Sequence, residues 1–334
     1  MARAKSKAKL KSKPRPKPKP KSKPKPKLKR ARARTSAAPA RDSRGYVRPE
    51  LLMSTAELAQ RLGDKDLRIV DCNVVMSIRP DGGYDIRKGV DDWRAAHIPG
   101  ATFIDLVEEL AAPHPKLRFM MTPPAQFAAV MSAHGIGNRH RVVLYSRGAN
   151  YWATRLFLMF RAMGHDQVQV LDGGWDKWLA EGRPVTNTVA KVAKANFKAK
   201  PRAGQIIGKA EVAAALGRAD ICLINALHPD VYSGKKFSAS YARAGHIPGS
   251  VNVYAMDLID PKTKTFLPAK DLRAKFAACG ALSADRVITY CGGGISATTD
   301  SFALMLLGHD NVALYDGSMT EWGPDLSLPI ATSA

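Results

Sequence analysis

From about Tyr46 onward the chain carries two hydrophobic rhythms. Short apolar, β-branched runs at 67–72, 141–145, 168–171 and 287–290 have the length and composition of buried strands. Over 149–163 and 296–307 the apolar positions instead return at helical spacing, and the first of these stretches stops at Gly164. Ser54-Thr55-Ala56-Glu57 has the form of a capping box and predicts a short helix to about Leu62. Asp172-Gly173-Gly174 predicts a turn into a helix that runs through Trp178. Strands alternating with helices predict a mainly parallel α/β sheet covered on both faces.

The pattern is written twice. Ala96-His97-Ile98-Pro99-Gly100-Ala101 returns as Gly245-His246-Ile247-Pro248-Gly249-Ser250, Gly164-His165-Asp166 as Gly308-His309-Asp310, and Leu171-Asp172-Gly173-Gly174 as Tyr315-Asp316-Gly317-Ser318. The offsets are 149, 144 and 144 residues. Ordered matches at a nearly constant offset mean a duplicated domain, and two copies are too few for a solenoid. Strand 142–145 corresponds to 287–290, and the residue that follows is Ser146 in the first copy and Cys291 in the second. The copies therefore differ where a nucleophile would sit.

Composition changes this picture at one end only. The 334 residues carry a net charge of +23, but residues 1–45 hold 12 Lys and 7 Arg against the single Asp42, leaving +5 for the rest. That segment alternates Lys with Pro and Ser, so it predicts an extended, disordered arm, with neutralisation of nucleic acid or another polyanion as its candidate role. Hydrophobic residues make up 45 %, enough for a sizeable core, and no apolar run reaches the length of a membrane span. Cys72, Cys222, Cys279 and Cys291 are widely spaced, with no Cys-x-x-Cys pair. A reducing compartment, the cytoplasm, is expected, and neither a metal nor an organic cofactor is implied. Cys72 and Cys222 fall in apolar strands and Cys279 at a helix end, so all three are expected to be structural.

The candidate chemistry lies at Cys291-Gly292-Gly293-Gly294-Ile295-Ser296, between an apolar strand and a helical stretch. Ligand sites of α/β proteins form at the carboxyl ends of such strands. Three glycines permit positive φ, leave no side chains to block the loop, and allow their amides to turn toward the sulfur. The helix that follows adds its partial positive charge, and Ser296 offers a hydroxyl. Three chemistries use a thiolate in such a loop, and the first is disfavoured here. A phosphatase would need Arg six residues after the Cys, where Ala297 stands. A Cys-His hydrolase would draw on His97, His246 or His309. Sulfur transfer would use the small neutral loop to hold a persulfide.

On both His-Ile-Pro-Gly elements, the Cys291–Ala297 loop and Tyr315-Asp316-Gly317-Ser318 with Glu321-Trp322, the chain resembles the tandem rhodanese-type sulfurtransferases, over about residues 50–330. The resemblance implies two rhodanese-like domains, each a mainly parallel sheet flanked by helices: an inactive copy over 46–185 and a catalytic copy over 206–334, joined by a linker over 186–205 and preceded by the tail. It implies that Cys291 takes a sulfane sulfur from thiosulfate or 3-mercaptopyruvate as a persulfide. The sulfur then passes to a thiol, cyanide or a thioredoxin-like acceptor. The neutral loop resembles the mercaptopyruvate kind. The family's second domain tends to carry Asp-Ala-Arg and Arg-Phe-x-Gly, whose arginines hold the anionic donor. Here those stretches read Asn225-Ala226-Leu227 and Val231-Tyr232-Ser233-Gly234. Lys235, Lys236 and Arg243 are the nearby candidate substitutes, and His97 is a further candidate. A non-catalytic binding module, with Cys291 a relic, is the alternative from another class.

Overall fold

A computed structural model describes residues 1–2, 44–80 and 83–333. The basic arm expected over residues 1–45 thus lies almost wholly outside the described residues.

The first domain runs β1 (Leu52–Met53), α1 (Thr55–Gln60), β2 (Leu67–Asp71), β3 (Val74–Ile78), β4 (Tyr84–Lys88), α2 (Val90–Ala95), β5 (Ala101–Phe103), α3 (Pro124–Ala133), β6 (Arg141–Tyr145), α4 (Tyr151–Ala162), β7 (Val168–Leu171) and α5 (Gly174–Ala180). The second runs β8 (Ile206–Ile207), α6 (Lys209–Ala215), β9 (Ile221–Asn225), α7 (Pro229–Ser233), β10 (Val251–Asn252), α8 (Ala269–Ala278), β11 (Arg286–Tyr290), α9 (Ala297–Leu306), β12 (Val312–Tyr315) and α10 (Ser318–Trp322). The helix expected from Ser54 forms, with the Ser54 hydroxyl accepting the Glu57 amide at 3.1 Å.

Each domain is built on one five-stranded, all-parallel sheet flanked by helices. The orders are β1-β7-β6-β2-β5 and β8-β12-β11-β9-β10, the same order once corresponding strands are matched. β6 and β11 are central, each flanked by two parallel strands, so Ser146 and Cys291 emerge from the middle of their sheets. Along β6 the side chains alternate between two cores. Val142 and Leu144 join one that spans both domains, while Val143 and Tyr145 join one confined to the first. The shared core centres on α4 and α9, where Phe157 and Phe302 meet edge to face at 4.8 Å and the Thr154 and Thr298 hydroxyls lie 2.7 Å apart. Being packed on both sides, these two helices are buried nearly all round, polar residues such as Thr154, Arg155, Thr298 and Asp300 included.

The stretch after α5 has no regular element but is not loose. The Ala195, Lys200 and Arg202 amides donate to Ser132, Met163 and Ala162 carbonyls, and Phe197 packs against Phe127 and Phe160. β3 and β4 form an antiparallel hairpin outside the main sheet, an element the strand pattern above does not contain. Among the described residues no helix is long and apolar enough to cross a membrane.

Candidate active site

Cys291 follows β11 directly and is 2 % exposed. Its Sγ accepts the Ile295 amide at 3.2 Å, at the N-terminal end of the ten-residue helix α9. That is the place where amides and helix dipole together favour a negative atom. The Gly292 and Gly293 amides have no hydrogen-bond partner among the described residues.

The loop is held from the start of α10. The Ser318 hydroxyl accepts the Cys291 and Gly294 amides, both at 3.1 Å, and donates to the Tyr315 carbonyl at 2.8 Å. The Met319 and Thr320 amides donate to the Cys291 and Gly292 carbonyls. The three glycines are therefore not equivalent, and not all of their amides turn to the sulfur. Gly294 alone has positive φ, +71°, and a Cβ there would sit 2.5 Å from the Asp316 carbonyl. A Cβ at Gly292 would strike the Tyr241 ring. At Gly293 the nearest atom would be the Thr320 hydroxyl, at 3.8 Å, so this position has room.

Behind the loop, Arg155 of α4 reaches across the domain boundary. Its guanidinium donates to Asp316 Oδ1 at 2.5 Å, to the Gly294 carbonyl at 3.2 Å and to the Phe119 carbonyl. The Met121 amide donates to Asp316 Oδ2 at 2.6 Å. A buried ion pair broken on one side leaves an uncompensated charge, so this arrangement fixes the loop firmly. Asp300 of α9 is wholly buried, and neither carboxylate oxygen has a partner among the described residues. Burial, followed by the neighbouring Cys291, pushes its pKa well above the carboxylate range. Asp300 thus holds its proton more tightly than an ordinary carboxyl does.

A cavity of about 330 Å³ opens over Cys291. The second domain contributes Leu227, Tyr241 and the loop itself; the first contributes the β3–β4 hairpin, the segment 116–119, and Tyr151 and Trp152 of α4. The Tyr84 and Tyr241 hydroxyls meet across the boundary at 3.2 Å. Burial, then Tyr84, raises the Tyr241 pKa, so its phenol remains an O–H donor.

Of the expected site residues, Cys291, Gly292, Gly293, Ile295 and Ser296 line this cavity, and Gly294 braces the loop from behind. The other candidates lie elsewhere. Arg243 spends its guanidinium on the Gly323, Leu328, Trp322 and Asp325 carbonyls and so ties down the chain after α10. Lys235 and Lys236 are exposed beyond α7 and do not line the cavity. His97 is buried, stacked on Trp93 at 4.6 Å, with Nδ1 2.7 Å from the Trp93 carbonyl. His246 repeats this on Tyr232 at 3.9 Å. Both histidines shape the turn into the next strand. Among the described residues no group of three His, Cys, Asp or Glu is placed to hold a metal.

Sequence reasoning missed Ser318, Arg155, the aromatic walls and the first-domain cations Arg79, Lys116 and Arg118. Only the hairpin had a usable signal, Pro80-Asp81-Gly82-Gly83 between two apolar-containing runs.

A family model described as "Rhodanese-like domain" matches residues 54–181 and again 210–325. A probable 3-mercaptopyruvate sulfurtransferase of Pseudomonas aeruginosa is 33 % identical over 286 residues, 84 % of this chain and 98 % of its own length. Thiosulfate/3-mercaptopyruvate sulfurtransferase 2 of Arabidopsis thaliana is 33 % identical over 85 % of this chain and 87 % of its own. The crystal structure of SseA from Escherichia coli, described with the rhodanese fold and catalytic mechanism of 3-mercaptopyruvate sulfotransferases, superposes with a TM-score of 0.71 at 25 % identity, over 80 % of this chain and 98 % of that one.

Proposed function

The chain belongs to the rhodanese-like family and is a sulfurtransferase of the thiosulfate/3-mercaptopyruvate class, and from that premise we propose that Cys291 carries the sulfur as a persulfide. The observation that carries the proposal is a thiol at a helix N-terminus, accepting one amide and opening on a cavity beside two further unpartnered amides.

In the first half-reaction the Cys291 thiolate attacks the outer sulfur of the donor. A sulfur–sulfur bond forms. With thiosulfate the old sulfur–sulfur bond breaks and sulfite leaves with the electron pair. With 3-mercaptopyruvate the carbon–sulfur bond breaks, and the departing enolate takes the thiol proton at carbon to become pyruvate. The Gly292 and Gly293 amides, unpartnered at the cavity, then receive the terminal sulfur of the persulfide, with the neutral Tyr241 hydroxyl beside it. In the second half-reaction an acceptor nucleophile, such as a thiol, cyanide or a thioredoxin-like protein, takes the outer sulfur and releases the Cys291 thiolate. The neutral loop favours 3-mercaptopyruvate over thiosulfate as donor.

Mass spectrometry of the protein after incubation with each donor tests this. The expected result is one added sulfur on the Cys291 peptide, removed by cyanide. Turnover without a modified Cys291, or a thiol that accepts no sulfur from either donor, would refute the assignment. The second of these results would favour a binding module.

A further inference from the structure

We infer that the anionic end of the sulfur donor is held by the first domain, through Lys116 and Arg118, while the second domain supplies the nucleophile; this rests on the sulfurtransferase reading above. Among the described residues the cavity over Cys291 is lined by three cations, Arg79, Lys116 and Arg118, and by no Asp or Glu. All three belong to the first domain. The second-domain wall is neutral, and Leu227 lies in it. A cleft lined by one sign of charge concentrates counter-ions of the other.

The two outer cations are placed by construction. The segment from Ala112 to Met120 is a strap closed at its base, where the Ala112 amide donates to the Met120 carbonyl at 2.9 Å. Leu117 and Phe119 point inward and are buried, and the Phe119 ring packs on Trp152 at 5.2 Å. The residues that alternate with them, Lys116 and Arg118, are exposed at the cavity. His114 Nδ1 accepts the Lys116 and Leu117 amides, at 3.2 and 2.9 Å, and shapes the turn. Arg155 and Asp316 grip the strap at the Phe119 carbonyl and the Met121 amide. Neither Lys116 nor Arg118 has an ion-pair partner among the described residues, whereas Arg79 faces Asp85 at 3.5 Å. Two unspent cations on an anchored strap suit a small donor with a carboxylate or sulfonate a few bonds from its reactive sulfur. A guanidinium fork matches either group in bidentate fashion.

The test compares two alkylating agents of the same chemistry on the full-length protein, iodoacetate and the uncharged iodoacetamide, with Cys291 modification followed by peptide mass spectrometry. In Lys116→Gln/Arg118→Gln the ratio of the iodoacetate rate to the iodoacetamide rate should fall at least about tenfold, the loss expected for hydrogen bonds to a charged group. The iodoacetamide rate should hold. KM for thiosulfate and 3-mercaptopyruvate should rise by a similar factor at nearly constant kcat. Lys235→Gln/Lys236→Gln should change neither readout. An unchanged ratio with unchanged KM overturns the inference, as does a parallel fall of both alkylation rates, which would make the strap a support for the loop only. If the ratio falls but the wild-type protein forms no persulfide, the anion site stands and the sulfur-transfer reading fails.

Discussion

The two copies set the same elements around different contents. After β6 the chain reads Ser146-Arg147-Gly148-Ala149-Asn150, and this loop is occupied by its own side chains. The Arg147 guanidinium folds back onto the Asp92 and Ala96 carbonyls, at 2.9 and 2.6 Å, and lies over the Trp175 ring at 4.3 Å. Asp176 takes the Gly148 amide at 2.7 Å, and Asn150 reaches the Lys264 carbonyl. After β11, glycines leave amides and volume open. Below the two loops the scaffolds correspond closely. The Trp175 amide donates to the Ser146 carbonyl as the Met319 amide does to that of Cys291. Asp172 receives the Phe266 amide at 3.0 Å as Asp316 receives that of Met121, with Arg44 in the role of Arg155. Phe119 and Lys264, 145 residues apart, share a φ near +59° in matching straps. A fold thus supplies an address, and the residues at that address supply the chemistry.

The comparison breaks most sharply at the nucleophile. Cys291→Ser should abolish transfer, because an alcohol is hardly ionised at neutral pH and forms no persulfide. Ser146→Cys should not create a second site, since Arg147 and Asn150 fill the space. Steady-state rates and mass spectrometry of both variants check this, and a sulfur added at position 146 would mean that the fold alone is enough.

Next comes the backbone. Gly294→Ala should cost more than tenfold in activity and lower Tm, since it forces a side chain to φ +71° against the Asp316 carbonyl. Gly293→Ala should stay within about threefold, because its φ is ordinary and its surroundings are open. Gly293→Val should cost more than Gly293→Ala, and with φ ordinary there the loss comes from crowding the cavity.

A smaller effect is expected at Ser318, whose counterpart in the first copy is Gly174. Ser318→Gly removes the hydroxyl that accepts the Cys291 and Gly294 amides. We expect kcat to fall about tenfold, the order of one or two hydrogen bonds, with KM little changed. An equal loss in both parameters would place Ser318 among the groups that contact the donor.

The smallest concerns Asp71, the last residue of β2, where the corresponding strand β9 ends in Asn225. Burial pushes the Asp71 pKa up to about 6, the Asn73 amide and Arg147 opposing it. The unfolded carboxyl titrates near 4, so the folded state holds the proton more tightly. Stability should fall as pH rises from about 4 through 6 and stay lower above that. Asp71→Asn should therefore raise stability at pH 8 by up to about 3 kcal/mol, and the gain should vanish near pH 4. Thermal melts at the two pH values check this. A constant difference would trace the effect to packing.

What was legible in the sequence was what local pattern can carry. β6 and β7 stand where their apolar runs are, and α4 and α9 lie within the helical stretches. Cys291 stood out because its duplicate is Ser146. The walls of the cavity were not legible. Lys116-Leu117-Arg118-Phe119 is too short an alternation to read, and it reaches Cys291 only because two domains pack together. Arg243 illustrates the opposite error. A cation near a site looks the same in sequence whether it awaits an anion or is consumed by four carbonyls.

The straps bear on how such a chain changes over generations. Each domain closes over the other's Asp-Gly turn, so part of the chamber around the thiol is inherited from the copy without one. Substitutions at the exposed positions Lys116 and Arg118 can therefore accumulate without touching the nucleophile, its amides or the residues that hold them. In a duplicated enzyme of this build, the copy that carries Ser146 offers a cavity wall that can change while Cys291 and its loop stay fixed.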